Sequence, residues 1–166
     1  MVDDSRSSPS SAAAPAAGRP RARGPWSEAE AWRFLGETAV PLRLACQDGA
    51  GFPLLLSLWF VPEGGALWCA SIARARVVRL LAREPRCAFE VSPDAPPYRG
   101  VRGRARATLV PERGEAVLRA LLQRYQGGES SQLARWLLSR AHEEVAIRLA
   151  PETLVSWDYT RRMQAP

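Results

Sequence analysis

The chain has 166 residues, 46% of them apolar, and a formal net charge of +6, which is the size and composition of one globular domain that can bury a core without metal or disulfide staples. No run approaches the roughly 18 apolar residues of a membrane-crossing helix. All 23 basic residues are Arg; four precede residue 25 and 19 face 15 acids after it, an excess that suits an anionic ligand and is too small to indicate nucleic acid.

Residues 1–24 are rich in Ser, Ala, Pro and Arg without apolar periodicity and are expected to be a disordered tail, leaving 25–166 as the domain. The tail's 11–18 stretch is too weakly apolar for a secretory signal, so the chain reads as cytoplasmic. Ser27-Glu28-Ala29-Glu30 matches the capping box that opens a helix carrying Trp32, Phe34 and Leu35. Leu42, Leu44 and Cys46 alternate as a half-buried strand, and 47–51 is turn chemistry. The nearly continuous apolar run 52–61 predicts a strand covered on both faces. Pro62-Glu63-Gly64-Gly65 turns the chain into a hairpin strand over 66–71, and a short helix over 74–83 follows, stopped by Pro85. In the long strand 98–110, Val101, Gly103, Ala105, Ala107 and Leu109 face one way. Arg102, Arg104, Arg106 and Thr108 face the other, where water is the expected neighbour. Two helices come next, with apolar faces of Val117, Leu121, Leu122 and Tyr125, then of Leu133, Trp136 and Leu137 capped by Ser130 or Ser131. Closing strands alternate at Val145, Ile147 and Leu149, then at Val155, Trp157 and Tyr159. Hairpinned strands with few helices predict a mainly β protein, an antiparallel barrel with flanking helices.

Conventional catalytic motifs are missing. His142 is the single histidine, and the three cysteines (Cys46, Cys69, Cys87) sit apart in apolar runs, so neither a metal site nor a Ser-His-Asp triad is expected. The informative stretch runs from Leu67 to Leu80, where a strand ends and a helix opens with Arg74 and Arg76. Cations at a helix start run against its dipole, whereas an anion bound there satisfies both the arginines and the free N–H groups. A solvated arginine face accounts for the same residues without a ligand.

Four segments carry a resemblance over 28–163. They are Asp48-Gly49 with Phe52-Pro53 and Leu58-Trp59-Phe60; Leu67-Trp68 with Arg76-Val77, Leu80 and Glu84-Pro85-Arg86; Pro96-Pro97-Tyr98-Arg99-Gly100-Val101 with Gly103 and Ala105; and Leu154-Val155-Ser156-Trp157-Asp158. In this order they resemble the pyridoxamine 5'-phosphate oxidase-like split-barrel family, which includes flavin- and deazaflavin-dependent oxidoreductases. The resemblance implies an antiparallel split β-barrel that binds FMN and works as a homodimer, with the cofactor at the subunit interface. The family's phosphate-binding Lys falls on Arg76, a family Ser on Arg74, and a family Thr on Ala70, where the hydroxyl is lost and Ser71 stands next door. Leu56, Ser57, Leu58 and Trp59 match the strand beside the isoalloxazine ring, and Trp157 the strand that approaches the partner's cofactor; core packing is the alternative for both tryptophans. The implied function is transfer of hydride or electrons between bound FMN and a small-molecule substrate. The deazaflavin coenzyme F-420 in the same barrel, or a non-catalytic flavin-binding module, are the alternatives. Arg161-Arg162 lacks the histidine of a true pyridoxamine phosphate oxidase tail. A nucleic-acid binder needs exposed aromatics between its cations, which the pattern does not supply.

Overall fold

A computed structural model describes residues 19–164. These residues form strands β1 (Arg21–Arg23), β2 (Leu42–Gln47), β3 (Pro53–Leu58), β4 (Val61–Glu63), β5 (Ala66–Ile72), β6 (Arg86–Val91), β7 (Arg99–Val110), β8 (Glu144–Pro151) and β9 (Thr153–Asp158). The helices are α1 (Glu28–Glu37), α2 (Arg76–Arg83), α3 (Gly114–Gln126), α4 (Gln132–Leu138) and the single turn α5 (Thr160–Met163). The strands hydrogen-bond in the order β3-β2-β6-β7-β8-β5-β4, with β9 on β7 and β1 on β9. Every pairing is antiparallel except β1 on β9. The sheet curls into a half-barrel flanked by helices, the split-barrel architecture.

The fork in the sheet lies in β7. Its first part, Arg99 to Arg102, pairs with β9; from Ala105 onward it pairs with β8. Between them Arg104 donates its N–H to Thr153 Oγ1 at 3.0 Å and accepts from the Glu152 N–H at 2.8 Å. Gly103 permits this crossing, since a Cβ there would stand 2.0 Å from the Thr153 carbonyl oxygen.

The core fills the inside of the curl. Leu42, Leu44, Leu67, Phe89, Val101, Ile147 and Leu149 meet Leu35 of α1 and Val77, Leu80 and Leu81 of α2. Burying one such side chain contributes about 1.5–3 kcal/mol. The capping box of α1 is complete: the Ser27 N–H donates to Glu30 Oε2 at 2.7 Å and the Glu30 N–H to Ser27 Oγ at 3.3 Å. On the other side of β5, Ala66 and Trp68 pack against Val117 and Leu121 of α3.

The strand covered on both faces is therefore β5, and the expectation that 52–61 would be so covered is corrected. That run divides at Trp59 into β3 and β4, and β3 is an edge strand paired with β2 alone. Its outward residues stay bare, Leu55 at 67% exposure, with Phe52 in the preceding turn at 71%. A continuous apolar run fits a strand under α3 as well as an edge strand; only pairing decides which. Gly64 and Gly65, at φ +57° and +72°, form the tight turn between β4 and β5.

Three further expectations change. Residues 19–24 are ordered rather than part of a disordered tail: β1 pairs with β9, and buried Ser156 holds its end, its Oγ donating to the Arg23 carbonyl at 3.3 Å and accepting the Trp26 N–H at 3.0 Å. The rest of the tail, 1–18, lies outside the described residues. In β9 the alternation is present in the opposite phase, with Leu154 and Ser156 buried while Val155 and Trp157 are half-buried. In α4 the face packed against Leu118 and Leu122 of α3 is Ala134 with half-buried Leu137 and Leu138, as expected for Leu137, while Leu133 and Trp136 are exposed; Ser131 is its cap.

Candidate functional site

The structure gathers Ala70, Ser71, Arg74 and Arg76 at one junction, where β5 ends, a turn passes and α2 begins. The turn closes when the Ala75 N–H donates to the Ile72 carbonyl at 2.8 Å, and the Ala73 N–H to the Glu143 carbonyl at 2.8 Å. The helix starts at Arg76, two residues later than expected, and its N-cap Ala75 offers no side-chain acceptor. With no acidic residue in the first turn, the opening N–H groups and the partial positive charge of α2 stand without a side-chain partner.

Two carboxylates accompany the two guanidiniums. Arg74 pairs with Glu143, and its carbonyl oxygen accepts from the Arg79 guanidinium at 2.7 Å. Arg76 reaches Asp48 Oδ2 at 3.3 Å, while Asp48 Oδ1 accepts the N–H groups of Ala50 and Phe52, both at 2.9 Å. Asp48 thus ties the β2–β3 turn to the start of α2. The turn chemistry of Asp48 was visible in sequence, its bond to Arg76 was not. Arg140 first, then Arg74, holds the Glu143 carboxyl below its ordinary range. One carboxylate occupies only part of a guanidinium's five-donor fork, and both arginines are well exposed. The donor set at the junction, two forks, uncapped amides and the Ser71 hydroxyl, matches the chemistry of a phosphate. Ala70 adds no hydroxyl.

The β3 residues stand differently. Leu56 and Leu58 are half-buried on the core side, whereas Ser57 is exposed on the outer face, opposite Arg43. Because β3 has a partner along one edge only, backbone N–H and C=O groups on its free edge are open to a ligand. Trp59 lies beyond the end of β3 and stacks on Tyr125 of α3, ring centroids 5.0 Å apart and planes 5° apart. Trp157 lies on β9, whose neighbours β1 and β7 carry none of the other candidates. Its indole crosses Gly100 and has the Arg102 guanidinium 5.5 Å from its ring centre. His142 is exposed, the cysteines are buried and unbridged, and no cluster of three potential metal ligands occurs among the described residues.

A separate groove of about 730 Å³ opens on the outer face of the sheet, among Arg21, Arg23, Arg43, Arg102 and Arg104. None of the nine candidate residues lines it. The arginine stripe of β7 thus borders a concavity instead of simply facing water, while Arg106 pairs with Glu152 at 3.5 Å.

The family model described as pyridoxamine 5'-phosphate oxidase matches residues 27–155. Among solved structures, a conserved hypothetical protein from Mycobacterium tuberculosis is 26% identical, with TM-score 0.72 over 90% of this chain and 94% of that one. A protein described as an F420 reductase is 23% identical, with TM-score 0.63 over 74% and 94% of the two chains. An FAD-binding protein from Mesorhizobium loti is 22% identical, with TM-score 0.56 over 79% and 93%. The last two share the fold. No match occurs among curated protein sequences.

Proposed function

This chain belongs to the pyridoxamine 5'-phosphate oxidase family, and on that premise we propose that it is a flavin-dependent oxidoreductase that holds FMN at the β5–α2 junction. The carrying observation is the pairing of two arginine forks with an uncapped helix start, next to the turn that leads into β3. Arg74, Arg76 and the first amides of α2 would hold the phosphate, with Ser71 supplying a hydroxyl in place of the one Ala70 lacks. The free edge of β3, at Leu56–Leu58, would hydrogen-bond the ring's polar edge while the leucine side chains exclude water. Bound flavin supplies the hydride and electron chemistry, so the chain itself needs no general acid or base among these residues. Trp59, stacked on Tyr125, would wall the site from the helix side.

The same reading makes the protein a cytoplasmic homodimer with the cofactor between subunits and Trp157 approaching the partner's site. Support comes from Phe52, apolar surface that a second copy would cover, and from three unbridged thiols, which suit a reducing compartment. Among the described residues no helix is long and apolar enough to cross a membrane.

The test is a visible absorption spectrum of the purified protein with mass identification of any released pigment, followed by Arg76→Ala and Arg76→Lys. FMN that is lost in Arg76→Ala and kept in Arg76→Lys supports the proposal. Deazaflavin would reassign the reaction to hydride-only chemistry, and FMN retained in full by Arg76→Ala would refute the phosphate assignment. Bound flavin without turnover of any reductant would make the chain a binding module.

A further inference from the structure

The outer-face groove is built by register. Arg43 of β2 stands opposite Glu90, Glu90 opposite Arg102, Arg102 opposite Val155, and Val155 opposite Arg23, so one transverse row crosses five strands. The adjoining row runs from Ala45 through Ala88 to Arg104, with Thr153 and Arg21 beyond it. At about 4.8 Å per strand, the rows span roughly 19 Å.

The two ends of the groove differ in chemistry. At the β2–β6 end the floor is Ala45 and Ala88 with Leu55 as a wall, a shallow apolar bed, and Arg43 is occupied by Glu90 and by Asp94 at 2.5 Å. At the β7–β9–β1 end stand Arg21, Arg23, Arg102 and Arg104, which make no ion pair with a carboxylate among the described residues. Four like charges, Arg102 and Arg104 on β7 and Arg21 and Arg23 on β1 across β9, repel one another, and a concave wall of low dielectric focuses their field on whatever enters. That arrangement suits an anion with more than one charge, held by guanidinium forks. Its volume of about 730 Å³ lies in the range of sites for small molecules.

We propose that this groove binds a small amphiphile, an aromatic or short aliphatic body on Ala45 and Ala88 with a doubly charged phosphate-type head on Arg21, Arg23, Arg102 and Arg104. The groove shares no residue with the flavin site, so the two assignments stand or fall separately. The strand β1 is what completes it, since Arg21 and Arg23 reach the groove only through pairing with β9.

Calorimetric titration of the full-length protein with 1-naphthyl phosphate, 1-naphthol and inorganic phosphate tests the proposal. Expected is saturable one-to-one binding of 1-naphthyl phosphate, about tenfold or more tighter than either fragment alone, weakening as salt rises. Arg21→Gln/Arg23→Gln and Arg104→Gln should each weaken it by about tenfold. Ala88→Phe, which fills the bed, should weaken naphthyl phosphate and leave inorganic phosphate unchanged. Arg135→Gln on α4 should change nothing. Circular dichroism confirms that each variant is folded, and the flavin spectrum is read in the same samples, so loss of the cofactor is seen apart from loss of groove binding. Binding unchanged in Arg104→Gln, or no saturable binding in a folded protein, would overturn the proposal. So would a shift of oligomeric state in Arg21→Gln/Arg23→Gln without ligand binding, which would give the face to a second copy, or exclusive binding of an acidic peptide or oligonucleotide.

Discussion

The Trp157 indole lies across the bare backbone of Gly100, its register partner on β7. A Cβ at position 100 would stand 2.6 Å from the indole and 2.6 Å from the Val91 carbonyl oxygen. Gly100→Ala should therefore cost about 1–3 kcal/mol, the range for forcing atoms into filled space, read as a lower urea midpoint with altered tryptophan emission. Gly36→Ala is the control. Nothing lies within 4 Å of a Cβ there, and the position is helical, so it should be neutral or stabilising by up to about 1 kcal/mol. Unaltered stability in Gly100→Ala would contradict the packing.

Ser156 is the one buried polar side chain among the described core residues, and both of its bonds go to the segment before α1. Ser156→Ala leaves the Trp26 N–H without its acceptor, and an unmet buried donor costs about 1–3 kcal/mol. The loss should be local. Hydrogen exchange should accelerate in β1 and at Trp26 while β5 and β8 keep their protection; uniform acceleration would show that Ser156 supports the whole barrel instead.

Arg124 of α3 closes the end of α1. Its guanidinium donates to the carbonyl oxygens of Leu35 at 2.7 Å, Gly36 at 2.7 Å and Thr38 at 2.8 Å, and lies 5.1 Å from the centre of the Phe60 ring. Arg124→Met keeps the stem and removes the fork, which should lower stability by about 2–3 kcal/mol. Arg124→Lys should recover only part of that, because an ammonium cannot span three carbonyls in the same plane. Equal stability of the Lys and Arg proteins would show that charge alone matters.

Two carboxyls bend the stability profile in opposite directions. Side-chain and backbone hydrogen bonds from Arg86 hold half-buried Glu84 down to about 2. Its folded value is below the unfolded one, so its contribution is present above the ordinary carboxylate range, about 4.3, and fades as pH falls toward 2. Burial pushes half-buried Glu144 up against the opposing pull of Arg140. Here the native state binds the extra proton, so stability falls as pH rises from the unfolded value through the folded one. Carboxyl NMR titration should find Glu84 ionised at about pH 3, and Glu144→Gln should remove the decline above the ordinary carboxylate range. A Glu84 midpoint near 4 would refute the Arg86 clamp.

Local chemistry was readable along the chain. The capping box at Ser27 and Glu30 needs only residues three apart, and β7 showed its two faces because an unbroken alternation over so long a strand has one interpretation. The β5–α2 junction was legible for the same reason: strand, turn and arginine-led helix are consecutive. Asp48 and Glu143, which meet those arginines, were hidden by separations of 28 and 69 residues.

What the sequence by itself determined is most of the elements, though not β1 or the division between β3 and β4, and the family to which their motifs belong, because each rests on spacing within a segment. The tertiary structure alone decided which apolar run was covered twice, which face of β9 turned inward, and that Arg21, Arg23, Arg43, Arg102 and Arg104 border one groove. Those outcomes depend on register between strands distant in sequence, where a shift of one residue exchanges the two faces, and no local pattern encodes it.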